Sequence, residues 1–203
     1  MAWSRVIRRC GAPAVLFLIL PSLPGAAQQP TDIILFPKTL VDRAVEARSA
    51  SDIAKDNDIV LQVNALMGKH GTFKASTRIY EQRLLITGLF DDRATYDGFE
   101  KGVRAIAGVK KLYWHVIYMP KAEQERRKLL DWGDVTVLEG KAEGRLIGTS
   151  GVADVNFRVA GDAFGTLYLL GRARSSDERA KAKDRARDGD TVKKLIDYVE
   201  VRP

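Results

Sequence analysis

Val109-Lys110-Lys111-Leu112 recurs as Val192-Lys193-Lys194-Leu195, 83 residues further along the chain (109 to 192). The same spacing carries Leu84 onto Leu167, Gly88 onto Gly171, Arg104 onto Arg187 and Val116 onto Val199. A four-residue match alone is weak, but agreement at one spacing over roughly 35 positions marks an internal duplication. The duplication sets the first expectation: two copies of one small module in tandem.

Hydrophobic period gives the elements of each copy. Ile59, Val63, Leu66 and Met67 fall at helical spacing, and Gly68 and Gly71 follow as a stop. Phe73 to Ile79 reads as a strand, Glu81-Gln82 as a polar turn, and Leu84 to Leu89 as a second strand. Asp92 is placed to cap a helix running to about Ile106, with Phe99, Val103 and Ile106 inward. Gly108 closes that helix. Val109 to Tyr118 is a third strand, with Leu112, Trp114, Val116 and Tyr118 alternating onto one face. In the second copy the first helix is expected to be weak, because Gly140 and Gly144 interrupt it at roughly 1 kcal/mol each. Strands follow at Val155–Val159 and Thr166–Leu170, then a helix capped by Ser175 or Ser176, then a strand over Val192–Val201. The fold class is therefore α+β: two tandem α-β-β-α-β modules, each a three-stranded mixed sheet covered by two helices.

Outside the repeat, the first 27 residues read as a secretory leader. Arg5, Arg8 and Arg9 precede the apolar run Ala14–Leu20, and Gly25-Ala26-Ala27 supplies small residues for cleavage after Ala27. The run is shorter than the roughly 20 residues of a membrane-spanning helix, although retention as an anchor is the alternative. Cys10, the lone cysteine, leaves with the leader. Arg8-Arg9 is a twin arginine, but Cys10-Gly11 stands where an apolar pair belongs. The leader takes three units of the formal charge of +7 and leaves +4, a mildly basic mature chain. Residues 28–50 form a lead-in with a helix from Thr39. The modules occupy 51–119 and 134–203, and a charged linker helix spans 120–133.

The repeat resembles the BON domain, named for bacterial osmotically inducible and nodulation proteins. Leu84-Leu85-Ile86-Thr87-Gly88 and Gly108-Val109-Lys110-Lys111-Leu112 carry the resemblance in the first copy, and Leu169-Leu170-Gly171 in the second. Thr191-Val192 lacks the Gly that opens the last strand, with Gly189 nearby. The resemblance spans about residues 50 to 203. It implies periplasmic residence, association with phospholipid or other envelope components, and a part in envelope integrity or stress tolerance. It supplies no catalytic residues. Many relatives are lipoproteins, and this chain lacks the lipid-bearing cysteine.

The search for chemistry is negative. His70 sits beside a Gly-flanked turn, and His115 alternates off the apolar face of its strand, where solvated surface is the plain reading. Neither has the convergent ligands of a metal site. Asp91-Asp92 precedes a helix and reads as a cap. Asp188-Gly189-Asp190 is a fragment of a calcium loop and reads as a turn. Gly161, Gly165 and Gly171 make no phosphate loop. Arg179, Lys181, Lys183, Arg185 and Arg187 alternate with acids, the pattern of a solvated helix face rather than a nucleic-acid stripe.

What remains is binding. No enzyme, metal or cofactor is expected, and no nucleic acid. The first reading is a peripheral periplasmic protein on anionic phospholipid, with Trp132, Val135, Val137 and Leu138 as an apolar edge in the lipid interface. The Gly-rich context of Trp132, with Gly133, Gly140 and Gly144, favours an exposed segment there. For Trp132 itself, flanked by Leu129, Leu130, Val135, Val137 and Leu138, core packing is the plain reading and the exposed apolar edge the alternative. The second reading is a protein-interaction or scaffolding module that docks an outer-membrane or secretion component through a sheet edge or module face. A third is an accessory that binds cell-wall polymer.

Overall fold

The structure is a computed structural model that describes residues 46–187 and 189–203. The expected leader, the expected lead-in as far as residue 45, and Asp188 lie outside the described residues. The first module runs α1 (Ala50–Lys69), β1 (Ala75–Tyr80), β2 (Arg83–Phe90), α2 (Arg93–Arg104) and β3 (Lys111–Tyr118). A short linker helix follows, α3 (Lys121–Arg126). The second module runs α4 (Trp132–Ile147), a 3-10 turn at Asp154–Asn156, β4 (Phe157–Gly161), β5 (Thr166–Ala173), α5 (Ser176–Arg187) and β6 (Lys194–Val201). From β2 onward, each element of the second copy starts and ends 83 positions after its counterpart. The hairpin turn absorbs the difference before that. Glu81 and Gln82 turn the first hairpin, both at positive φ, and the second turn is one residue longer, with Gly165 at φ +79°.

Each sheet is mixed. β1 pairs antiparallel with β2 and β2 parallel with β3, and β4, β5 and β6 repeat this order. Alternation then decides which side chains meet the helices. Leu84, Ile86 and Phe90 of β2 join Ile59 and Val63 of α1 and Phe99 and Val103 of α2. Leu167 and Leu169 of β5 join Leu138, Ala142 and Leu146 of α4 and Ala182 and Ala186 of α5. Asp92 caps α2 by accepting from Thr95 N at 2.6 Å, and Ser175 caps α5 by accepting from Glu178 N at 3.1 Å. Ser49 caps α1, so the segment before it, from residue 46, is not helical.

Gly88 and Gly171 stand inside the middle strands, which run on to Phe90 and Ala173, for a steric reason. A Cβ on Gly88 would lie 2.6 Å from Lys74 O, and one on Gly171 only 2.1 Å from Asn156 O. Gly171 also holds φ at +151°, which disfavours any side chain. The first hairpin strand crosses the middle strand too closely at this point for any residue but glycine.

α4 corrects the expectation of a weak helix. It is regular over Trp132–Ile147, capped by Asp131, which accepts from Asp134 N at 2.8 Å. Gly133, Gly140 and Gly144 all sit on its exposed side. There they lower helix propensity without opening the core, and burial of Val135, Leu138, Ala142 and Leu146 outweighs that cost.

Candidate functional site

The residues that join the copies lie on the second face of each sheet. Tyr80, Leu85, Ala160, Tyr168 and Leu170 form a buried cluster there, with Tyr113, Ile196 and Tyr198 packed on it. The two modules belong to one compact unit, with helices outside and the two sheets face to face between them. β2 and β5 are consequently buried along nearly their whole length. Equivalent residues of the two copies meet at the centre. His115 and Tyr198, 83 positions apart, share a hydrogen bond at 2.9 Å. Tyr113 stacks on Tyr198 with ring centroids 4.0 Å apart, and His115 lies against Tyr168 at 4.3 Å. A residue that touches its own equivalent marks an isologous, two-fold contact, as in a homodimer fused into one chain.

The interface is closed on one side by small residues and hydrogen bonds. Thr87 Oγ1 donates to Gly161 O at 2.6 Å, and Arg78 Nε donates to Val159 O at 2.6 Å. Arg78 also pairs with Glu139 of α4 at 2.9 Å. Glu139 accepts in addition from Ser76 Oγ at 3.1 Å and Gly161 N at 2.6 Å. Its carboxyl is raised above the ordinary range by burial, which Arg78 and these donors only partly offset. Asp56, on the buried face of α1, plays a comparable part in the first module. It accepts from Arg48 at 3.0 Å, Glu81 N at 2.9 Å, Gln82 N at 2.7 Å and Gln82 Nε2 at 2.8 Å. Asp56 ties its helix to the first hairpin, and Glu139 ties its helix to Gly161 and to Ser76 and Arg78 of the other module.

A second polar layer surrounds Tyr80. Its hydroxyl donates to Asn156 Oδ1 at 3.0 Å. The guanidinium groups of Arg48, Arg83 and Arg158 lie over its ring at 4.9, 5.8 and 5.7 Å. Burial pushes the Tyr80 hydroxyl well above the ordinary tyrosine range. Arg158 is enclosed and donates to Val155 O at 2.8 Å and Phe157 O at 2.7 Å. Burial pulls it down to about 10, still charged at neutral pH. Arg83 reaches across to Tyr198 O at 3.0 Å and Gly171 O at 2.8 Å. None of these residues was singled out from the sequence. The signal available was an acid among the apolar positions of each first helix, Asp56 beside Ile59 and Val60, and Glu139 beside Leu138 and Ala142.

Among the described residues no group of three or more His, Cys, Asp or Glu is placed to hold a metal ion, and no helix is long and apolar enough to cross a membrane. No family model matches the chain, and no characterised protein matches it by sequence. Among solved structures, two chains of CdsD, a structural protein of the type III secretion system of Chlamydia trachomatis, are similar. Both share 12% identity and cover 72% of this chain. The alignments span 93% and 98% of those chains, the second being the C-terminal domain, at TM-scores of 0.30 and 0.29. At these values neither neighbour transfers a function.

The residues expected to form an apolar edge are not brought together on the surface. Val135 and Leu138 are core side chains, because they lie on the inner face of α4. Trp132 is half-buried in a cluster with Leu89, Met119, Val135, Ala163 and Phe164, where the linker meets both modules. Leu130 N fixes that junction by donating to Ala163 O at 3.0 Å. Val137 alone of the four is exposed, at 54%. His115 is likewise corrected: it faces the other module, and burial lowers its pKa, with Asp162 opposing. Trp114 packs in the first core against Phe99 and donates to the Tyr96 hydroxyl at 3.2 Å.

What the packing leaves open are two strand edges. β1 and β4 are buried by the junction, whereas β3 and β6 are half-exposed along their length and have no outer neighbour among the described residues.

Proposed function

We propose that this chain is an exported, non-catalytic protein-interaction module of the bacterial envelope, a BON-like pair that presents a preformed double-sheet body to a polypeptide partner. One observation carries the reading: the two copies pack through their sheet faces so that two edges close and two, β3 and β6, stay open. Open edges offer main-chain donors and acceptors to an added strand, a recurrent mode of peptide capture. A rigid body lowers the ordering cost of such binding. The lipid reading has less support, since two of its four contact residues lie in the core.

Photo-cross-linking in intact cells, from a reactive residue placed at Ile117 on β3, at Val201 on β6 or at Val137 on α4, separates these readings. Discrete protein adducts from a strand position, with no co-flotation of the purified protein on anionic liposomes, are expected. Salt-sensitive co-flotation with adducts confined to lipid would restore the phospholipid reading.

A further inference from the structure

The two open edges are not alike, and the duplication shows how. Position by position, Lys111-Leu-Tyr-Trp-His-Val-Ile-Tyr118 corresponds to Lys194-Leu-Ile-Asp-Tyr-Val-Glu-Val201. At the register of Ile117, β6 carries Glu200, which is exposed and pairs with Arg83 at 3.3 Å and Arg202 at 3.2 Å. A charge at this place is how proteins keep an edge strand from accepting another. β3 lacks that guard. Beyond Lys111 it has no charged residue and no proline, and Ile117 is 36% exposed.

The backbone of β3 is set for pairing. Lys111 N donates to Gln82 O at 3.5 Å and Met119 N to Phe90 O at 2.8 Å, so the odd residues bond to β2. Leu112, Trp114 and Val116 therefore turn their N–H and C=O groups outward, away from the sheet. Charge is added at one end. Lys110 and Lys111 are both exposed, and among the described residues no carboxylate lies within ion-pair distance of either. Lys111 instead lies over the Tyr113 ring at 4.9 Å.

We propose that β3 is the docking edge and that its occupant is an extended segment of a partner protein. This segment alternates apolar residues and carries Asp or Glu where it passes Lys110 and Lys111. The proposal deepens the protein-interaction reading above and rests on it. Main-chain bonds to β3 supply affinity, the apolar alternation covers Ile117 and the adjoining ring faces, and the paired lysines fix direction by attracting acid at one end only.

The test uses the full mature chain as bait for a display library of random dodecapeptides, with Ile117→Glu as the second bait. Ile117→Glu copies the guard at Glu200 onto a partly exposed site, so the fold is retained, and its melting temperature is measured as a check. Enriched peptides should alternate β-branched or aromatic residues and carry acid towards one end. Their binding should fall about tenfold or more with Ile117→Glu, and again with Lys110→Glu/Lys111→Glu. Amide shifts on titration should fall at Leu112, Trp114 and Val116. Enrichment that ignores acid or alternation, binding that survives Ile117→Glu, or no enrichment would overturn the proposal. So would a chain that self-associates through β3, which would make a second copy the occupant. Protein adducts from Val201 together with an inert β3 would leave the interaction reading standing and remove this edge from it.

Discussion

His115 and Tyr198 occupy the same position in the two copies and bond to each other at 2.9 Å. That contact lies where the two-fold relation between the sheets passes through the molecule. It explains why an aromatic or heteroaromatic ring stands at this register in both copies, on the face turned away from the helices. Tyr168 and Tyr113 complete a layer of rings between the sheets.

The pH response of this layer follows from its burial. Desolvation lowers the His115 pKa below the ordinary 6.5, so the folded state favours the neutral ring. The resulting stability is fully present above 6.5 and is lost as pH falls through the lowered folded value. Thermal melting between pH 7.5 and 5 should show a decline on acidification, with a smaller slope in His115→Gln. An unchanged slope in that variant would remove His115 as the source.

Arg78 and Glu139 make the strongest test of the closed side. Removing Glu139 takes from Arg78 its buried partner and leaves the half-exposed Glu143, 3.5 Å away, as a poorer one, so the cost falls at the low end of the range for a broken buried pair, about 3 kcal/mol. Glu139→Ala should therefore destabilise by that amount in urea titration. Arg78→Met/Glu139→Leu should cost clearly less than the sum of the single changes. Additive costs would mean that the pair does not act as a unit.

Gly171→Ala should destabilise by about 1–3 kcal/mol or more, because its Cβ would press on Asn156 O. Gly148→Ala meets nothing within 4 Å and should stay within about 0.5 kcal/mol of the parent. Denaturant midpoints of the two variants compare them directly.

Trp132→Ala should lower stability by about 3 kcal/mol, the low end for a large aromatic because the ring is only half enclosed. Val137→Asp, on the exposed side of α4, should change stability by less than about 0.5 kcal/mol and leave liposome flotation as it is. Flotation that depends on Val137 would return α4 to the candidate surface.

Much of the fold was legible because the repeat fixes register as well as number. Its spacing of 83 recurs in the bounds of β2 and β5, α2 and α5, and β3 and β6. Asp92 and a Ser175 or Ser176 cap are local signals, and both caps are made. The packing of one copy on the other was not legible. Alternation places Leu84 and Ile86 on one face of β2 and Leu85 and Thr87 on the other, but it does not say what covers the second face. The near-continuous apolar run Leu84–Ile86 is the sign of burial on both sides. The sequence leaves His115 on the solvated face of its strand, because its partner, Tyr198, arrives only when the sheets join. For Val135 and Leu138 the neighbouring glycines point to the surface, but position on the inner helix face decides their burial.

The account rests on the sheets meeting face to face, with Tyr113 of one copy stacked on Tyr198 of the other at 4.0 Å. Nuclear Overhauser contacts between these two rings, measured in solution on the chain from Gln28 onward, test it most directly. Strong ring-to-ring contacts, together with contacts from His115 to Tyr198, are the expected result. Their absence, with each copy retaining its own internal contacts, would contradict the account by showing two modules that fold alike and do not pair.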